Sequence, residues 1–135
     1  MVNPFAEGQV LQGANSEQLN MTQSLFRLAG WALLLFIVIL SVVPSADRPE
    51  THVPHKIEHL STFLITGLVF GLGYQTQRWA QALLLITFSG AIEIVQLAIS
   101  GRHSRLSDFV IDAGGALIGT ALAAILCQLA GGTKS

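Results

Sequence analysis

Charge is what this chain has least of. Only 11% of its 135 residues are Asp, Glu, Lys or Arg, while 51% are hydrophobic. Soluble domains carry roughly 25% charged residues, so a water-facing globule is excluded and a membrane class is favoured. No excess of basic residues exists either: the formal net charge is -1, which removes nucleic acid as a partner. The single cysteine, Cys127, lies in an apolar run and has no second cysteine to pair with. It reads as a small packing residue, and an intramolecular disulfide is excluded. Met1 to Gln23 has no Lys or Arg at all. A secretory signal needs a basic start, so the first apolar run is expected to be a retained span, and residues 1–23 a disordered or surface-lying polar tail.

What is present is a series of long uncharged runs. Leu28 to Ala46 contains no charge over 19 residues and ends near Pro44, about the length that crosses the hydrocarbon core as a helix. A polar loop follows from Ser45 to Val53. A second span opens at Pro54-His55-Lys56-Ile57-Glu58-His59, with Glu58 suited to the positive end of the helix, and runs uncharged from Leu60 to Gln77. Gly67 and Gly71 lie one turn apart on it. Tyr74, Arg78 and Trp79 then mark a membrane interface around a short turn, which predicts a tight antiparallel hairpin of the second and third spans. The third span, from about Trp79 to Ser100, contains one charge, Glu93. At 1.5 Å per residue that carboxyl lies roughly 12 Å inside the helix end. Gln96 shares its face at i,i+3. The fourth span is expected to be capped by Ser107, with Asp108 in its first turn and Asp112 one turn on; Ala113 to Thr133 is then uncharged. Gly115, Gly119 and Ala123 give it a small-residue stripe.

These runs predict an all-α membrane protein with four transmembrane helices in an antiparallel bundle: a tail at 1–23, a membrane domain at 24–131 and a short tail at 132–135. Four crossings put ten of the 15 charged residues at or just beneath one face. Lys and Arg divide four to three between the faces, so the positive-inside rule does not orient the protein.

The charged end gathers His55, Lys56 and His59 from the second helix, Glu93 and Gln96 from the third, and Arg102, Arg105, Asp108 and Asp112 from the last turn and fourth helix. Three readings stand side by side. In the first, Arg102, Arg105 and Lys56 hold an anionic headgroup while Glu93, Asp108 or His59 handles protons; the planar fork of arginine matches two phosphate oxygens. In the second, the same charges pair with one another and brace the bundle, and the stripes at Gly67/Gly71 and Gly115/Gly119 dock onto other membrane proteins. In the third, His55-Lys-Ile-Glu58-His59 fits an H-x-x-E-H pattern: His55 and His59 share a helix face that can bind one zinc, with Glu58 as base and Glu93 or Asp108 as third ligand. His52 and His103 lie in loops and read as solvated. No cofactor is expected.

The ordered set His55-Lys56-x-x-His59-x-x-x-Phe63, Glu93-x-x-Gln96, Gly101-Arg102, Asp108, Asp112 and Gly114-Gly115 with Gly119 resembles the VanZ-like family, small membrane proteins named after a teicoplanin-resistance accessory protein. The resemblance covers roughly residues 31 to 129. It implies a four-helix membrane domain with shared polar residues at Lys56, His59, Glu93, Gln96, Arg102 and Asp108, and a place in the bacterial envelope, in the inner membrane. Two positions depart from the family pattern: His55 stands where Asp is frequent, and Asp112 where Asn is frequent. A pairing of His55 with Asp112 is one way to account for both.

Overall fold

In a computed structural model, residues 4–43, 54–97 and 106–132 are described. They form four helices, α1 (Pro4–Val42), α2 (His55–Gly73), α3 (Arg78–Leu97) and α4 (Leu106–Gly132), with no strand among the described residues. Three of them, α1, α3 and α4, are long and apolar enough to cross a membrane. Their outward faces are lined by Leu28, Leu35 and Ile39 on α1, Leu83 and Ile94 on α3, and Ile118, Ile125 and Leu129 on α4. Such a continuous apolar exterior is stable only against lipid, and the protein is an all-α membrane bundle.

α2 differs from the other three. It is 19 residues long and opens with polar residues Lys56, Glu58 and His59, so by composition it does not join the three more apolar spans. Its environment explains this: it packs most extensively against α4 and next against α1, so less of its surface has to be apolar for lipid. Its start follows the sequence closely. Pro54 sits at the N-cap, and its carbonyl accepts hydrogen bonds from the backbone N–H of Ile57 at 2.8 Å and Glu58 at 3.3 Å, a use of proline just before the first turn that needs no N–H donor from it.

The α2–α4 contact is built from glycine. A Cβ on Gly67 would collide with the Ala116 carbonyl, one on Gly119 with the Leu64 carbonyl, and one on Gly115 would lie 2.7 Å from the Leu60 carbonyl. The two backbones therefore approach to a distance that only hydrogen in place of a side chain permits. Thr120 donates its hydroxyl to the Ala116 carbonyl at 2.9 Å and lies 3.4 Å from the Gly67 carbonyl, which satisfies its polar group inside the seam. These contacts run in register, Leu60 to Gly115, Gly67 to Ala116 and Gly71 to Ala123, so α2 and α4 are parallel. α1 runs against them, since Gly30 meets Phe70 and Gly73 meets Arg27. α3 runs with α1, since Ser41 and Gln96 touch near both C-terminal ends.

Several expectations are corrected by this packing. The second and third spans are joined by the expected short turn at Tyr74–Gln77, but α2 and α3 touch little, because the glycine face of α2 is turned to α4. The two small-residue stripes meet each other inside the chain, so they are not free to dock elsewhere. The backbone is helical from Pro4, where the 39-residue α1 begins, about 58 Å long. α4 begins at Leu106, so Ser107 lies within the helix rather than capping it, and donates its hydroxyl to Asp108 Oδ1 at 3.2 Å.

The end away from the polar cluster is pinned by aromatic residues. Trp31 Nε1 donates to the Tyr74 hydroxyl at 3.1 Å, Arg27 Nε donates to the Gly73 carbonyl at 2.8 Å, and the Arg27 guanidinium lies 4.9 Å from the Tyr74 ring centroid. Tyr74 stacks on Phe70, so the interface belt is tied to the core.

The seam gives a paired prediction. Gly119→Ala drives a methyl into the Leu64 carbonyl and is expected to destabilise the protein by about 1–3 kcal/mol, as overpacking does. Gly114→Ala, five residues earlier on another face of α4 with nothing within 4 Å of the new methyl, is expected to be neutral or slightly stabilising. Thermal unfolding of both variants in detergent separates them, and equal losses would contradict the close approach.

Candidate functional site

The up-down-up-down course brings the C-terminal ends of α1 and α3 and the N-terminal ends of α2 and α4 to one end of the bundle. At that end the buried residues are polar to an unusual degree: Ser41, Glu93, Gln96, Asp108 and Asp112 are all buried. On α3 the inward face reads Gln81, Leu85, Ser89, Ile92, Glu93 and Gln96, a helical period in which four of the six residues are polar. Burying carboxylates in an apolar bundle is costly, and they persist only where other groups hold them.

The central pair is His59 and Asp112. His59 Nδ1 lies 3.0 Å from Asp112 Oδ1 and 3.2 Å from Oδ2, and Asp112 is fully buried while the His59 side chain is 14% exposed. Donation from Nδ1–H to the carboxylate fixes the orientation of the ring. The α2–α4 seam makes this pair possible, because it sets the two backbones so close that one imidazole bridges them. Glu93 completes the cluster from α3: one ligand-type atom each from His59, Glu93 and Asp112 lie within 4.8 Å of one another.

A cavity of about 420 Å³ opens beside this cluster. Its apolar wall is Phe36, Ile37 and Leu40 of α1, Phe63 of α2 and Ile92 of α3, and its polar wall is Ser41, Glu58, His59, Ser61, Thr62 and Gln96. His59 thus belongs to both the buried cluster and the cavity wall. Gln96 Nε2 is 3.4 Å from Ser41 Oγ, a contact that ties α3 to α1 at the rim.

Of the residues singled out in the sequence, the structure unites His59, Glu93 and Asp112, and places Gln96 at the cavity wall. Asp108 is buried and accepts the Ser107 hydroxyl, but is not one of the three clustered groups. Lys56 is exposed at the start of α2 and is not part of the cavity wall. Arg102 and Arg105, and the loop histidines His52 and His103, lie outside the described residues; so does the side chain of His55, whose backbone begins α2. The structure displays His59 as a partner of Asp112, and the expected pairing of His55 with Asp112 falls on a side chain outside the described residues. The contribution of α1 was not legible: Phe36, Ile37 and Leu40 belong to an unbroken apolar run, and only Ser41 within it hints that one face turns toward polar company.

The family model described as VanZ/LLP1 matches residues 7–127. No curated protein and no solved structure matches the chain.

The buried pair predicts unequal effects of its two members. His59→Ala removes the imidazole from a fully buried carboxylate and is expected to cost about 3 kcal/mol or more. Asp112→Asn leaves an amide oxygen that still accepts from Nδ1–H, and the loss is expected to stay near 1 kcal/mol. Thermal or denaturant unfolding in detergent measures both; the reverse order would mean that the His59–Asp112 contact does not hold the cluster.

Proposed function

The chain belongs to the VanZ/LLP1 family, and from that premise and the cavity we propose that it is an envelope-associated protein of the bacterial inner membrane that binds an anionic lipid or lipid-linked precursor at its polar end. One observation carries this reading. The cavity joins an apolar wall from three helices to a polar wall of His59, Gln96, Ser41 and Thr62, a division that matches an amphiphile whose hydrocarbon lies against Phe36, Ile37, Phe63 and Ile92 and whose head lies among the polar groups.

Charge supports the same direction. The loop between α3 and α4 carries Arg102 and Arg105, and Lys56 opens α2, so three cations belong to segments that start or end at this end of the bundle. Guanidinium and ammonium groups at the rim would recognise a phosphate or diphosphate head, arginine through two parallel hydrogen bonds. Glu58, in the cavity wall, disfavours an anion there. The anionic part of the head is therefore assigned to the outer side of the polar wall, away from Glu58, and the hydrocarbon to the apolar wall.

The competing reading is a brace, in which the polar cluster only holds the helices and the protein serves as a subunit of a larger assembly. The His59–Asp112 contact favours it. An assembly role would use outer faces, since the glycine stripes are consumed inside the bundle.

Native mass spectrometry of protein extracted with its lipids distinguishes the two. The expected result is a retained anionic lipid whose occupancy falls about tenfold, equivalent to about 1.4 kcal/mol, in Thr62→Trp, which fills the cavity, and in Arg102→Ala, which removes a cation of the segment between α3 and α4. Unchanged occupancy in both variants, or no bound lipid in the wild-type protein, would leave the brace.

A further inference from the structure

The cluster behind the cavity has a chemistry that lipid binding does not use. His59, Glu93 and Asp112 come from three different helices, yet each presents a ligand-type atom within 4.8 Å of the other two. All three belong to the protein interior: Asp112 is 0% and Glu93 6% exposed, and the His59 side chain is 14% exposed. One imidazole nitrogen with two carboxylate oxygens is a donor set suited to a first-row transition metal; calcium and magnesium favour all-oxygen shells with more ligands or more water.

The spacing of His59 and Asp112 agrees with that chemistry. With metal–nitrogen and metal–oxygen bonds of about 2.0–2.2 Å, neighbouring ligands of a tetrahedral ion lie about 3.3 Å apart. His59 Nδ1 and the Asp112 oxygens already stand 3.0 and 3.2 Å apart. An ion there takes the place of the proton shared by that pair, and Glu93 closes the third side by rotation of its own side chain. Two carboxylates held so close in a medium of low dielectric repel strongly, and a divalent cation between them offsets that repulsion.

We propose that His59, Glu93 and Asp112 bind one divalent transition-metal ion of the zinc class. The set shares only His59 with the H-x-x-E-H pattern; the other two ligands come from α3 and α4 rather than from the same helix as His59. Three protein ligands leave a fourth position open, as in sites where a metal holds water or substrate. Because His59 also lines the cavity, the ion lies next to the space in which a ligand would sit. The site does not depend on the lipid proposal: a cavity that holds no lipid leaves the three ligands in place.

The test uses full-length protein in mild detergent, purified without a polyhistidine tag, stripped with chelator and dialysed against zinc. Elemental analysis is expected to find about one zinc per chain, with uptake lowered about tenfold in Glu93→Gln and in His59→Ala, and unchanged in the double variant His52→Ala/His103→Ala. Cobalt(II) titration of the wild-type protein, which needs no variant to fold, is expected to give the intense visible absorption of a four-coordinate ion. Zinc uptake below about a tenth of an equivalent overturns the proposal. So does uptake that survives Glu93→Gln and His59→Ala, uptake lost in the loop-histidine variant, or cobalt that stays octahedral and pale.

Discussion

The close approach of α2 and α4 is the constraint on which the rest of the molecule depends. Gly67, Gly71, Gly115 and Gly119 let two parallel helices touch backbone to backbone, and no apolar side chain could substitute without separating them. Within lipid there is little hydrophobic drive to join helices, so the association rests on dispersion at short range and on hydrogen bonds such as that of Thr120. At this spacing the first turn of α2 is placed one imidazole away from the second turn of α4. The His59–Asp112 contact is a direct consequence.

The same constraint explains the open end of the bundle. α2 commits its small-residue face to α4 and makes few contacts with α3, so α1, α2 and α3 do not close tightly where Ser41, Thr62 and Gln96 meet. The space left is the cavity. Its wall is mostly apolar where α1 contributes Phe36, Ile37 and Leu40 and mostly polar where α2 contributes Glu58, His59, Ser61 and Thr62, because the polar side chains of α2 are concentrated near its N-terminal end. Packing at one seam therefore produces both the buried cluster and the adjoining space that could admit a ligand.

The two ends of the bundle are held by different physics. At one, Trp31, Tyr74 and Arg27 use ring stacking and hydrogen bonds to fix the turn between α2 and α3, as amphipathic residues do where lipid meets water. At the other, buried acids and an imidazole are held inside the protein, where each unsatisfied charge would be expensive. Rigidity at the aromatic end and stored charge at the polar end make the polar end the place for ligand chemistry.

Much of this was legible from the order of residues. Uncharged runs near 20 residues set the number of helices, and a lone Glu93 deep in such a run had to be buried in company, because a carboxylate facing lipid is not tolerated. The i,i+3 spacing of Glu93 and Gln96 put both on one face, and both are buried. What the linear chain could not decide was partnership. Glycine spacing marks a helix face as fit for close contact but does not say which helix will occupy it, so α4 rather than α3 became the neighbour of α2, and that seam brought His59 to Asp112. The cavity wall from α1 was equally hidden, since Phe36, Ile37 and Leu40 look alike in sequence whether they face lipid or a neighbour. Sequence determines which residues must leave the lipid, because that depends on each side chain's own solvation; only the tertiary structure decides which of them meet, because that depends on backbone distances set elsewhere in the bundle.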